Sequence, residues 1–280
     1  MLTKVSNNDT LFSVWKRAFV GVELKMKRKI VKTLSAKEIE LLARLEFEGR
    51  EIYTREEIVS FCRNRRKAAY LIKKLLEKKR LRKIIKNVYF LIPIKAPQGQ
   101  WKGNEYLISK ALVRGANYYI GYSTVFNSYG FIDQIAQVIY VVNDKYSMRK
   151  TVFGVTYKLI KVLPNRLYGL EKRRINNEDV IFPQKERAMI DVFEFYDTVR
   201  AYNILRNQIG RLNIELFTEY VAQYPVQRIR RCIGYFLEQL GISKKFLKKI
   251  DVGEKGYSPL YDTKPIRGKI NKRWRLIING

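Results

Sequence analysis

Apolar positions recur at helical spacing three times between residues 35 and 79, and then give way to two short β-rich runs. Ile39, Leu42 and Leu45 stand three apart, after a Ser35/Glu38 capping-box pair and before Gly49, which predicts a capped helix with a natural stop. Thr54 and Glu57 repeat the capping-box spacing, and Ile58, Phe61 and Cys62 share one face of the helix that follows. The polar turn Arg63-Asn64 comes next, with Asn64 placed to cap a third helix over Arg65–Lys79. In that helix Ala68, Leu71, Ile72, Leu75 and Leu76 form an apolar stripe. Arg66, Lys67, Tyr70, Lys73 and Lys74 then point outward, with Arg65 at the boundary. Leu81–Ile85 and Val88–Ile92 read as strands joined at Lys86-Asn87, since Asn tolerates the left-handed geometry of a tight hairpin. Three helices and a hairpin in this order make a winged helix-turn-helix, a module that sets its last helix into the DNA major groove.

Beyond Pro93, the segment Ala96-Pro97-Gln98-Gly99 reads as a linker. The remainder predicts helices over Glu105–Val113 and Ser123–Tyr129 and strands over Val138–Val142, Val155–Leu163 and Asp179–Phe182. Pro183 is expected to open a helix running through Phe195. Helical stretches near 198–209, 213–223 and 226–240 follow, and Trp274, Leu276 and Ile278 alternate in a closing strand over Arg273–Ile278. The expected fold class is α+β: a winged helix-turn-helix, then a mixed α/β domain ending in a helical region and a terminal strand. The expected division is a basic extension over 1–34, the DNA-binding domain over 35–96 and a partner-binding domain over 97–280. For residues 1–34 a basic arm, a docked helix and a start at Met26 stay open.

Charge sharpens this picture. Lys and Arg total 56 against 26 acids, a formal charge of +30, which calls for a polyanionic partner. Residues 63–86 hold 12 cations (Arg63, Arg65, Arg66, Lys67, Lys73, Lys74, Lys78, Lys79, Arg80, Arg82, Lys83 and Lys86) against the single acid Glu77. A solvated helix face usually mixes signs to gain pairs four residues apart, and this one does not. Phosphates would relieve the repulsion and release counterions. The candidate DNA-binding residues are therefore Arg63, Asn64, Arg65, Arg66, Lys67, Tyr70, Lys73 and Lys74 on the helix pair, with Arg82, Lys83 and Lys86 on the wing. Glu38, Glu40, Glu46 and Glu48 of the first helix are expected to face away from DNA. A second basic run, Lys244, Lys245, Lys248, Lys249, Lys264, Arg267, Lys269, Lys272, Arg273 and Arg275, could extend the DNA footprint or meet an acidic protein surface equally well.

The chain has no histidine, which excludes Ser-His-Asp and Cys-His catalysis and histidine metal sites. Cys62 and Cys232, its two cysteines, cannot build a disulfide framework, so reduced thiols are expected. No run of about 18 apolar residues spans a bilayer and no secretory signal opens the chain, which predicts a cytoplasmic protein without membrane partner. Glu186 and Asp191 read as structural acids, Glu186 paired with Arg187, rather than a catalytic pair. Asp262-Thr263-Lys264 has the flavour of a nuclease metal site without a persuasive partner acid. Tyr118, Tyr119, Tyr122 and Tyr129 are expected in the core rather than stacked on bases. No phosphate-cradling glycine loop occurs, so no cofactor and no metal are expected.

An ordered series of short motifs over residues 35–280 resembles the AbiEi family of toxin–antitoxin regulators. The motifs are Asn87-Val88-Tyr89-Phe90-Leu91, Ile120-Gly121-Tyr122-Ser123, Tyr129-Gly130-Phe131-Ile132-Asp133-Gln134, Glu186-Arg187-Ala188-Met189-Ile190-Asp191, Gly256-Tyr257-Ser258-Pro259-Leu260 and Arg273-Trp274-Arg275-Leu276. Asn87 stands where the family usually has glycine and Asp133 where it often has Glu. Residues 1–34 have no counterpart. The resemblance implies a repressor whose winged helix binds repeats near its own promoter and whose C-terminal domain counters a nucleotidyltransferase-like toxin. The expected function is therefore a non-enzymatic, sequence-specific repressor and antitoxin, with double-stranded DNA and a cognate toxin as partners and two copies on DNA. A stand-alone winged-helix regulator, a metal-dependent nuclease and an RNA-binding protein are the alternatives.

Overall fold

The computed structural model describes residues 33–96 and 103–279. The expected basic extension, apart from its last two residues, and the expected linker beyond Ala96 lie outside them. The chain is mixed α+β, with two apolar cores that share a sheet. The smaller, here the head, begins with α1 (Ala36–Phe47), β1 (Ile52–Thr54), α2 (Arg55–Cys62) and α3 (Arg65–Glu77), followed by β2 (Leu81–Ile85) and β3 (Val88–Leu91). Its antiparallel sheet runs β1-β3-β2, with Ile52 opposite Phe90 and Leu81 opposite Leu91. Alternation gives that sheet two buried faces. Tyr53, Leu81, Tyr89 and Leu91 join Leu41, Leu42, Leu45, Ile58, Ala68, Leu71, Ile72 and Leu75 in the head core. Ile84, Val88, Phe90 and Ile92 point the other way, into the core of the body.

Local sequence explains the helix starts. Thr54 Oγ1 accepts from Glu57 N (3.2 Å), while the Glu57 carboxylate accepts from Thr54 N (2.6 Å). Arg63 takes left-handed φ (51°), and Asn64 Oδ1 accepts from Lys67 N at 2.9 Å. Asn87 (φ 61°) turns the β2–β3 hairpin.

The first helix departs from its expected stripe: Ile39 is 45% exposed, and Glu38 is buried instead. The reason lies in α3's far end, where Lys78 Nζ reaches the Glu38 carboxylate (2.6 Å) and Thr33 O (2.8 Å). Burial pushes the Glu38 carboxyl up, but Lys78 and the Ser35 amide outweigh it and hold it below its ordinary range. α3 stops at Glu77, two residues early, because Lys79 adopts φ 58° to enter β2.

The body comprises α4 (Glu105–Leu112), β4 (Tyr118–Gly121), the single turn α5 (Ser123–Phe126), β5 (Val138–Asn143), β6 (Met148–Val152), β7 (Val155–Lys161), β8 (Leu170–Ile175) and β9 (Glu178–Pro183). Helices α6 (Lys185–Phe195), α7 (Thr198–Gln208), α8 (Ile214–Gln223), α9 (Gln227–Gln239) and α10 (Lys244–Leu247) follow. Short strands β10 (Ser258–Pro259), β11 (Lys269–Asn271) and β12 (Leu276–Ile278) close the chain. The main sheet runs β4-β5-β7-β6, with β5 and β7 parallel and the other neighbours antiparallel. Three expectations shift here. The helix after Ser123 is one turn, Pro183 ends β9 rather than opening α6, and the closing strand starts at Leu276 because Arg275 turns at φ 50°.

Trp274 lies in that turn, 2% exposed, against α9 at Gly234, where a Cβ would come within 2.0 Å of the indole ring. Gly234→Ala is expected to displace the ring and lower stability by about 1–3 kcal/mol, read as a fall in melting temperature.

Candidate nucleic-acid interface

On α3 the buried residues Ala68, Leu71, Ile72 and Leu75 define one side of the cylinder, and Arg66, Tyr70 and Lys73 occupy the opposite side at spacings of four and three. All three are exposed, Tyr70 by 61%. Neither Arg66 nor Lys73 forms an ion pair among the described residues. Arg65 is exposed nearer the helix start. Arg63 and Lys67 line a cleft of about 280 Å³ between α1, α2 and α3, together with Lys37, Glu40, Arg44 and Phe61. Asn64 spends its side-chain oxygen on the cap.

Lys74 is half-buried, pairs with Glu77 at 3.3 Å and lies 5.8 Å from the Tyr70 ring centre. Of the other basic residues in the run, Lys78 is held by Glu38, and Arg80 donates to Pro93 O at 2.9 Å. The basic run is therefore only partly unpaired: these three cations knit the head together.

The hairpin residues divide. Lys83 lies opposite Tyr89, which belongs to the head core, so it sits on the helix-bearing side of the sheet. Arg82 lies on the body side, its guanidinium 3.7 Å from the centre of the Phe153 ring. Lys86 is exposed at the turn. The sequence pattern assigns all three to one wing, because it does not show that the sheet's second face packs against the body.

The body's own polar cluster is closed. Arg187 and Asp191, four apart on α6, are both fully buried and 2.6 Å apart. Tyr119 OH donates to both Asp191 oxygens at 3.1 Å and accepts from Arg187 Nη2 at 3.0 Å. Burial pushes the Asp191 carboxyl up, against the pull of Arg187. The expected Glu186–Arg187 pair is thus replaced by Arg187–Asp191, and Glu186 instead accepts from Asn213 N at 2.9 Å. Beside this pair, Arg166 and Tyr224 both contact Glu194, which also accepts from Tyr122 OH at 2.9 Å. These tyrosines are core residues with bonded hydroxyls.

Asp262 pairs with Arg228 at 3.1 Å. No group of three metal-ligating side chains gathers among the described residues. Both cysteines are free, and burial pushes the Cys232 thiol up to about 12. No described helix is long and apolar enough to cross a membrane. In the second basic run, Lys249 pairs with Glu215 and Glu219, and Arg273 pairs with Glu238.

No family model and no curated protein matches the chain. Among solved structures it is similar to the crystal structure of the RV2827C protein from Mycobacterium tuberculosis. That match has a TM-score of 0.59 at 11% identity and covers 88% of this chain and 92% of that one. What the two share is the fold, over nearly the whole of both chains.

Proposed function

We propose that the chain is a double-stranded-DNA-binding transcriptional repressor whose residues 35–96 act as a winged helix-turn-helix. In this reading α3 is the helix that enters the major groove. The observation that supports it is the exposed side of α3. Arg66, Tyr70 and Lys73 are carried by a helix whose other side is sealed in the head core, and neither cation pairs with an acid among the described residues. Such a helix presents donors at fixed positions, with little ordering left to do on contact. Arg66 suits a guanine edge, where a guanidinium bonds O6 and N7 together, and Lys73 suits a phosphate. Lys83 and Lys86 would hold the flanking backbone. Arg65, Arg63 and Lys67 would approach the phosphates beside the helix start.

The order of secondary structure in the head, three helices with a strand before the second and a hairpin after the third, agrees with this reading. The resemblance to the AbiEi family adds the role of antitoxin. The repressor would act on its own promoter, and the body would counter a nucleotidyltransferase-like toxin. A stand-alone regulator would use the same head in the same way.

Titration of a duplex covering the DNA upstream of the gene, at several salt concentrations, tests the proposal. With six to ten phosphate contacts, affinity should fall by about 10³–10⁵ between 50 and 200 mM salt. A flat salt dependence, or equal affinity for unrelated duplexes and structured RNA, removes it.

A further inference from the structure

A second set of cations without an ion-pair partner among the described residues lies on the body, on a hairpin whose turn packs against β3. β6 and β7 are antiparallel neighbours, with Arg149 opposite Lys158 and Thr151 opposite Thr156. Alternation sets these four side chains on the face opposite to Tyr157 and Leu159, which enter the core. Arg149 and Lys158 are exposed, and no carboxylate among the described residues pairs with either. Like charges placed directly across an antiparallel pair cost stability. Lys158 Nζ has the Tyr140 ring at 5.6 Å, which attracts a cation only weakly at an exposed site. Beside the two cations, the threonine hydroxyls stand 3.3 Å apart.

The strands end in the turn Phe153-Gly154, and the Phe153 ring carries the Arg82 guanidinium. That ring also meets Phe90 of β3 edge-on at 5.6 Å, so the turn is packed against the head. Counting from the Phe153 turn that Arg82 touches, the threonine pair comes first along the hairpin and the Arg149/Lys158 pair next. Four residues of strand, about 13 Å, separate Phe153 from Arg149.

We propose that this face of the β6–β7 hairpin is a second phosphate-binding strip, which carries the DNA contact from the head onto the body. The inference rests on the DNA-binding reading above and deepens it. Guanidinium, ammonium and hydroxyl groups suit phosphate oxygens, and contacts of that kind position a duplex without reading its sequence. The strip therefore lengthens the footprint on one flank and leaves sequence preference unchanged. Packing of Phe153 against Phe90 fixes the strip relative to the head.

The test uses the full chain and the upstream duplex, read by salt titration and by hydroxyl-radical footprinting. Arg149→Ala/Lys158→Ala should lower the slope of log affinity against log salt by about 2. It should also remove protection on one flank and keep the same preferred sequence and melting temperature. Thr151→Val/Thr156→Val, which keeps the charge, should lose protection at the same flank; this second variant carries the test if the first melts early. Lys172→Ala/Arg174→Ala on β8, an equal change of charge at exposed residues outside the candidate contacts, should leave the footprint whole. A wild-type slope and footprint in both hairpin variants, while Arg66→Ala/Lys73→Ala weakens binding, removes the strip and leaves the DNA-binding reading standing. A loss matched by the β8 variant assigns the effect to net charge and also overturns the strip. A wild-type chain that binds no duplex removes both.

Discussion

Arg66→Glu/Lys73→Glu is expected to weaken binding to the upstream duplex at least thirtyfold without lowering the melting temperature. Both side chains stand on the exposed side of α3, and neither has an ion-pair partner among the described residues to lose. Each good base or phosphate contact is worth about 1–3 kcal/mol. Two together give about 2–6 kcal/mol, and each 1.4 kcal/mol is tenfold in affinity. Reversal adds repulsion to the loss, so the lower end of that range is a floor. Equilibrium titration at fixed salt measures the effect, and a thermal melt confirms the fold. Affinity equal to wild type would show that α3 does not face the duplex. Lys78→Glu makes an informative contrast. It would confront Glu38 in a buried site and unfold the head, and so would report on packing rather than on DNA.

The largest effect on stability is expected inside α6. Asp191→Ala leaves the Arg187 guanidinium fully buried, with Tyr119 OH and Arg166 O still bonded but its carboxylate gone. Breaking a buried pair by removing one partner costs about 3–5 kcal/mol, because the remaining charge has been taken out of water without compensation. Denaturant unfolding should show that loss as a lowered midpoint at unchanged slope. Arg187→Met/Asp191→Leu should recover much of it, since replacing both charges with apolar groups of similar volume removes the desolvation cost together with the attraction. A double variant no more stable than Asp191→Ala would mean that the hydrogen bonds to Tyr119 and Arg166 O matter more than the charge balance. Neither variant touches α3, so DNA affinity should follow only the folded fraction.

The legible parts of the fold are those fixed by neighbours in sequence. The Thr54/Glu57 capping box, the Asn64 cap, the left-handed Asn87 and the stripe of α3 all depend on partners within four residues, and each stands in the structure as the spacing predicts. Strands β6 and β8 gave no comparable signal. Met148–Val152 and Leu170–Ile175 are rich in Arg and Lys, and their β-form comes from pairing with β7 and β9 rather than from an apolar alternation of their own. Ile39 was assigned to the core for a related reason. Spacing alone cannot tell which of two adjacent stripes will meet a partner, and the buried Glu38 is paired with a lysine 40 residues away.

The same boundary runs through the candidate interface. The sequence by itself determined that a basic helix would show Arg66, Tyr70 and Lys73 on one side, because an α-helix returns to the same face every three to four residues. Only the tertiary structure decided that Lys78, Arg80 and Arg82 are engaged within the protein, since each meets a group far along the chain that the local pattern does not mark as a partner. It also decided that Arg149 and Lys158 face each other across two strands, beside a turn that touches the head. Contacts between residues far apart in the chain follow from how sheets and helices close on one another, and no short-range periodicity records that closure.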